Sequence, residues 1–446
     1  MTGLTAQLAQ FTATARDRPM PAEAARVIKT GFIDLAAAML AGRDEPVVGI
    51  IRGLCAPGDE ASVLFGISRA SARDAALING TAAHALDYDD VGIGGHPSAV
   101  LVPAILAEGE RLGLPGDMAV RAYLVGYEVW GELIGRDKDP HHVKGWHPTA
   151  IFGTVGVAAS VAVLNGLDEL RSRNAIAIAA SLASGLAANF GSMTKPFHAG
   201  NAAARGIDAV RMAAAGMTAA ADAIEHHAGF LSAVSPAGRV DRSRPADSLG
   251  KVLRILDNGI SIKKYPMCFA THRVIDGLID LARKHDLRAE EVAEVHASIS
   301  PTQASVLRNH TPVTALEAKF SLEFAVAAAL VARNVGLAQL TDQFVNCPEV
   351  RNIAGKVRIE PVDTSCPIEP VLALHDRVVV VMKDGRRFDS GNIRFARGNA
   401  QAALSNDELN AKFIECTQGF EGTAPGALFE ALSHLEDLPS LRHLAG

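Results

Sequence analysis

Apolar residues recur every three to four positions along most of residues 1–255, the spacing of a buried helix face. The pattern predicts helices over Ala22–Ala41, after Pro21, and over 69–85, 99–112, 118–135, 149–165, 172–187, 201–215 and 219–226. Glycine, proline or polar turns separate them, and these are short enough for antiparallel neighbours in a bundle. Near residue 258 the texture changes. Residues 259–265 (GISIKKY) read as a strand, 271–285 as a helix, 292–300 as a β-branched alternating strand and 315–333 as a helix. Val357–Pro361 and Arg377–Met382 read as strands, the second pairing with 387–390 through Lys383-Asp384-Gly385.

The expected fold is therefore mainly α: a large all-helical domain with a smaller α+β domain inserted. The boundaries are 1–258 for the first helical part, 259–397 for the α+β module and 398–446 for a helical return to the first domain. Composition agrees. The chain of 446 residues is 48% hydrophobic and only 5% aromatic, so small alanine-rich helices can pack closely around a large core. A net charge of -6 argues against nucleic acid as the main partner, although an acidic ligand needs only local positive charge. The five cysteines are scattered, without a C-x-x-C pair, which suits a reducing cytoplasm and no structural zinc. No signal-peptide pattern opens the chain, and the apolar runs read as too short to cross a bilayer, so a cytoplasmic protein without membrane contact is expected.

Candidate chemistry concentrates in four segments. The richest is 79–97 (NGTAAHALDYDDVGIGGHP), where a helical run ends in Asp87, Asp89 and Asp90 and a glycine-rich loop leads to His96. Carboxylates meeting a histidine at a helix end are suited to acid–base work; the same pattern also describes a solvated helix end. His147, before Pro148, stands at a helix entry. Lys195, in Thr194-Lys195-Pro196, is expected in a loop between apolar helices, where hydrophobic walls or a second cation would make it a usable base. Residues 263–273 (KKYPMCFATHR) bring Lys263, Lys264 and Arg273 near Cys268 and His272. A thiol near positive charge gains thiolate character, while a small buried hydrophobe is the plainer reading. The pairs His141-His142 and His226-His227 read as surface histidines, and Gly153 and Gly156 as helix-packing positions. With no metal-ligand spacing, Walker loop or dinucleotide fingerprint, no metal and no cofactor are expected.

Taken in order, HALDYDD…GHPSAVLVPAILA, GWHPTAIFGTVGVAAS, TKPFHAGNAAARG, KKYPMCFATHRVID and EAKFSLEFAVA resemble the MmgE/PrpD family over about residues 20–395. The resemblance implies a helical domain, a smaller α+β lid, a homodimer and a small polycarboxylate substrate. Activities in the family include 2-methylcitrate dehydration, cis-aconitate decarboxylation and iminodisuccinate epimerisation. It carries catalytic roles onto Asp87, His96, His147 and Lys195. Two departures stand out: Val91 follows the D-Y-D-D motif where decarboxylase-like members carry threonine, and Cys268 replaces a histidine. The loop between Asp90 and His96 is also shorter.

What unites these activities is proton movement at a carbon α to a carboxylate, which needs a base and positive charge to hold the enolate-like anion. The inventory supplies Asp87, His96, His147, Lys195 and Cys268 as catalytic groups, with Tyr88, Lys264, His272 and Arg273 as substrate contacts. The two departures favour an epimerase acting on a dicarboxylate such as iminodisuccinate. A hydro-lyase of a 2-methylcitrate-like acid is the alternative, followed by a decarboxylase or a non-catalytic acid-binding dimer.

Overall fold

The computed structural model describes residues 3–369 and 372–445. The chain is mainly α and divides into two compact units, Met1–Ser261 with Asp407–Gly446, and Ile262–Asn406. The C-terminal return thus begins later than the texture of the sequence suggests. Gly398 still belongs to the second unit, where its carbonyl accepts from the Ile262 backbone N–H at 2.7 Å.

In the first unit the main helices are α1 (Leu4–Ala13), α2 (Ala22–Ala41), α3 (Pro46–Leu54), α4 (Ala72–Ala85), α5 (Pro97–Leu112), α6 (Gly116–Ile134), α7 (Pro148–Asn165), α8 (Glu169–Leu182) and α9 (Thr194–Ala214). Their ends follow local chemistry. Pro46, Pro97 and Pro148 open α3, α5 and α7, where a missing N–H costs nothing. Ser71 and Asp168 cap α4 and α8 through their side-chain oxygens. Gly113 and Gly166 close α5 and α7 in the left-handed region.

The central element is α7. Every residue from Thr149 to Leu164 is buried. Contrary to the expectation that the apolar runs are too short, its 18 residues have the length and hydropathy (mean 1.5) of a membrane span, but 89% of them are buried inside the protein. It is a core helix, enclosed by α5, α6 and α9. Glycines permit the close crossings, as expected for Gly156: a Cβ there would lie 2.9 Å from the Gly126 carbonyl oxygen of α6.

The crossing of α4 and α9 brings the end of one helix to the start of the other. A Cβ on Gly200 would lie 2.1 Å from the Leu77 carbonyl and 2.4 Å from Thr81 Oγ1. Gly200→Ala is therefore expected to wedge the two helices apart and destabilise the protein by about 1–3 kcal/mol, the usual cost of overpacking. Thermal unfolding measures it; an unchanged midpoint would show that the crossing relaxes freely.

Several elements differ from the sequence pattern. The run 69–85 starts as a hairpin strand: β1 (Pro57–Val63) pairs antiparallel with β2 (Ser68–Ala70) before α4 begins. α8 ends at Leu182, and Gly185 (φ +143°) and a bridge between Leu186 and Trp146 turn the chain. Residues 219–226 form turns, with the Glu225 carboxylate accepting from the Thr5 backbone N–H. Residues 259–265 contribute only an isolated bridge, Ser261 to Val91. His141 is buried against the Phe152 ring at 4.7 Å, not on the surface.

In the second unit β3 (Val292–Ile299) lies between β4 (Val357–Pro361), parallel to it, and β5 (Arg377–Met382), antiparallel; β6 (Arg387–Asp389) completes the order β4-β3-β5-β6. The hairpin turns at Gly385 (φ +88°). The amphipathic helix His272–His285 packs on β5. The expected helix 315–333 is split, because Ser321 leaves the helix and caps a new one, Leu322–Val331, by accepting from the Phe324 N–H.

Candidate active site

The candidate site grows from the end of α4. Leu86 closes the helix, and Asp87 takes a left-handed conformation (φ +53°) that aspartate tolerates better than most residues. The reversal sends three carboxylates to different partners. Asp87 Oδ1 accepts from Lys195 Nζ at 2.9 Å and lies 3.8 Å from His96 Nε2. Asp89 lies between two imidazoles, with His84 Nδ1 at 2.9 Å and His96 Nδ1 at 3.0 Å. Asp90 accepts from the hydroxyl of Ser98 at 2.8 Å. Asp89 and Asp90 are fully buried, so this is no solvated helix end.

Glycine shapes the loop that returns to His96. Gly92 and Gly95 exchange backbone hydrogen bonds of 2.9 Å, and a Cβ on Gly95 would strike the Trp130 ring and Thr149. The His96 backbone N–H donates to Thr149 Oγ1 at 3.2 Å, which ties the loop to α7. His147, at the entry of α7, stacks near His84 (ring centres 6.1 Å), has Phe190 edge-on at 4.9 Å and approaches His198 at 3.2 Å between Nδ1 atoms.

Lys195 is not in a loop. It occupies the first turn of α9, which begins at Thr194, and Pro196 is tolerated there because first-turn N–H groups have no helical partner. The helix places His198 one turn beyond Lys195.

Burial sets the protonation of the cluster. It is the largest cause that lowers His84 to about 4, aided by the nearby Lys195 and His96 and opposed by Asp89. Burial likewise holds His147 well below the ordinary histidine range, with His84 and Lys195 adding to it, and lowers His198. Burial would raise Asp89, but the imidazoles of His84 and His96 outweigh it and hold the carboxyl well below its usual range. Asp90 moves the other way, raised by burial and by the charges of Asp34 and Asp89. At neutral pH, then, His84 is a neutral ring that donates Nδ1–H to an ionised Asp89. His84 Nε2 is left buried with no hydrogen-bond partner among the described residues.

These shifts carry a sign. A histidine lowered on folding stays neutral while its unfolded counterpart takes up a proton, so its stabilisation is complete above about pH 6.5 and is lost as pH falls toward the folded value. For His84, lowered from 6.5 to about 4, this is on the order of 3 kcal/mol. The melting temperature is expected to fall between pH 6.5 and 4, and less steeply in His84→Asn. Identical slopes for the two proteins would remove His84 from the account.

Among the sequence candidates, Asp87, His96, His147 and Lys195 come together in the first unit. Tyr88 does not present its ring to a substrate; it is 1% exposed and lies under Lys412 Nζ at 3.9 Å. The remaining candidates lie in the second unit. Cys268 is half-buried and opens the turn Phe269–Thr271, and Lys264 is partly exposed. His272 is buried between the rings of Tyr265 and Phe269. Arg273, expected to bind substrate, is 1% exposed and spends its charge on Glu369 at 2.8 Å and the Ala373 carbonyl. It sits on the buried face of its helix, which the sequence pattern did not bring out.

His84 and His198 are the members that the candidate set omits, and Asp89 stands out in the sequence only as part of the acidic run, without a role of its own. The available signals are the histidine in the helix turn before Asp87 and the i, i+3 spacing of Lys195 and His198. His84, Asp87, Asp89 and His96 each offer a donor atom, all within 4.8 Å of one another, a grouping able to hold a divalent ion; the Lys195 ammonium already stands on Asp87 as a competing cation.

The helical core thus gathers buried histidines and carboxylates and a partly exposed lysine where α4 and α9 cross. The MmgE/PrpD N-terminal domain matches residues 6–243 and the MmgE/PrpD C-terminal domain residues 265–434. The chain belongs to the MmgE/PrpD family. It is 29% identical to a cis-aconitate decarboxylase of Homo sapiens over 381 residues, covering 82% of this chain and 76% of that protein. Identity to the Mus musculus cis-aconitate decarboxylase is also 29%, over 83% and 78% of the two chains. A cis-aconitate decarboxylase of Aspergillus terreus is 26% identical over 64% of this chain and 62% of its own.

Proposed function

We propose that this protein is an enzyme that moves a proton on the carbon next to a carboxylate of a small di- or tricarboxylic acid. The observation that carries the reading is the Lys195–Asp87 pair beside His96 and the buried rings of His84 and His147. Lysine supplies positive charge for a substrate carboxylate and for the enolate-like anion; the neutral rings supply proton acceptors and donors. In a low-dielectric pocket both effects exceed their values in water.

The relatives favour the lyase outcome. In a decarboxylation the C–C bond to one carboxyl breaks, its electron pair passes to the adjacent carbon and unsaturated system, and a site group delivers a proton to carbon. Stereoinversion is the second reading. There the C–H bond breaks, the pair delocalises into the carboxylate, and a proton returns to the opposite face. Val91 favours it: where decarboxylase-like members place a threonine hydroxyl, this chain has an apolar side chain whose backbone pairs with Ser261.

The test is incubation in D2O with cis-aconitate, 2-methylcitrate and iminodisuccinate, followed by NMR and assays of carbon dioxide and optical rotation. Deuterium at the α-carbon is expected for at least one acid. Carbon dioxide or water release identifies a lyase, and loss of optical rotation without either identifies an epimerase. No exchange with any of these acids would sink the proposal and leave a non-catalytic acid binder.

A further inference from the structure

The acidic turn has a fourth fastening, from a distant part of the chain. Lys412 lies in the C-terminal helix Asn406–Cys416, which docks through Leu409, Phe413 and Cys416, with the Phe413 ring edge-on to Phe429 at 5.4 Å. Lys412 is itself buried, at 5% exposure. Its Nζ is 2.5 Å from Oδ1 of the fully buried Asp34 in α2, donates to the Tyr88 carbonyl at 2.8 Å and stands 3.9 Å over the Tyr88 ring. Tyr88 is the residue between Asp87 and Asp89. Burying an ammonium and a carboxylate together contributes little net stability, and an apolar pair of similar volume often does as well or better. What an apolar side chain cannot supply is a donor to the Tyr88 carbonyl in a turn whose preceding residue holds a left-handed conformation.

We infer that Lys412 is a positioning residue: anchored by Asp34, its ammonium holds the Tyr88 peptide so that Asp87 meets Lys195 and Asp89 meets the His84 and His96 rings. The C-terminal helix is thereby part of the active-site architecture, although none of its groups touches substrate. The inference rests on the proton-transfer reading above for its kinetic test, and on the structure alone for its spectroscopic one.

The experiment compares the full-length protein with the double variant Asp34→Asn/Lys412→Met, which removes both buried charges. A cooperative thermal transition is expected to persist. kcat is expected to fall at least thirtyfold with KM within threefold, because misplaced groups affect the transition state more than ground-state binding. Nitrogen-15 NMR of the histidine rings, which needs no substrate, is expected to show altered tautomer signals for His84 and His96. A merely structural lysine would leave both readouts at wild-type values, and that outcome overturns the inference. If the double variant does not fold, Lys412→Arg decides: it keeps a cation opposite Asp34 but places its donors differently. A tenfold loss of kcat with the same histidine changes supports the inference; wild-type kcat and spectra reject it. If the wild type turns over none of the acids, the proposed function fails, and the histidine spectra still test the positioning role.

Discussion

Lys195→Ala is expected to lower kcat/KM at least a thousandfold while leaving the protein folded. A thousandfold loss corresponds to about 4 kcal/mol of transition-state stabilisation. Two effects combine. The ammonium 2.9 Å from Asp87 is removed, so positive charge no longer faces the developing anion. Asp87 then loses the ammonium at 2.9 Å, and its charge weighs more heavily against a substrate carboxylate. The fold should survive because the side chain is 14% exposed and lies on the first turn of α9, outside the close crossing at Gly200. The second effect has its own signature. Asp87→Asn in the Lys195→Ala background should recover part of KM, a non-additivity expected of groups in direct contact. Steady-state kinetics beside a thermal melt decide the matter; activity within threefold of wild type would place Lys195 outside the site.

Asp89→Asn carries the next largest expected effect, a loss of kcat of about a hundredfold or more, within the range that a positioned acid–base group contributes. Asp89 offers only acceptor oxygens, so the His84 ring is held with Nδ1–H toward it, while His96 Nδ1 lies 3.0 Å from its other oxygen and His96 Nε2 faces Asp87. An asparagine keeps one acceptor and introduces a donor. One of the rings must then present a bare Nδ1 and carry its proton on Nε2, which makes that ring a donor where a base is needed. Histidine tautomers read by nitrogen-15 NMR, together with kcat as a function of pH, separate this from general loosening. An unchanged pattern of tautomers with normal kcat would refute the orienting role.

Much of this was legible along the chain. Ala22–Ala41, Val357–Pro361 and Arg377–Met382 occupy the residues that periodicity and turn residues indicate, since local spacing and capping decide such elements. Asp87, His96, His147 and Lys195 were legible as candidates because each stands at a helix end or in a loop marked by proline or glycine. Other features depended on partners far away. Lys195 reads as a loop residue until α9 is seen to begin at Thr194. Arg273 looks like a free cation until Glu369 and the Ala373 carbonyl close around it. Tyr88 looks like a substrate contact until Lys412 covers its ring.

By itself, the sequence determined a mainly helical protein with an α+β insertion, its family, and the residue types available for proton transfer. These follow from periodicity, turn chemistry and motifs, which are local properties of the chain. Only the tertiary structure decided which histidines are neutral, which carboxylates are ionised and which cations remain for chemistry. Protonation and pairing depend on burial and on charges brought close by helix crossings. His84 is lowered because it is sealed in the core beside Lys195, Asp90 is raised because it is buried with Asp34 nearby, and Lys412 reaches the acidic turn only because the C-terminal helix packs back onto the first unit.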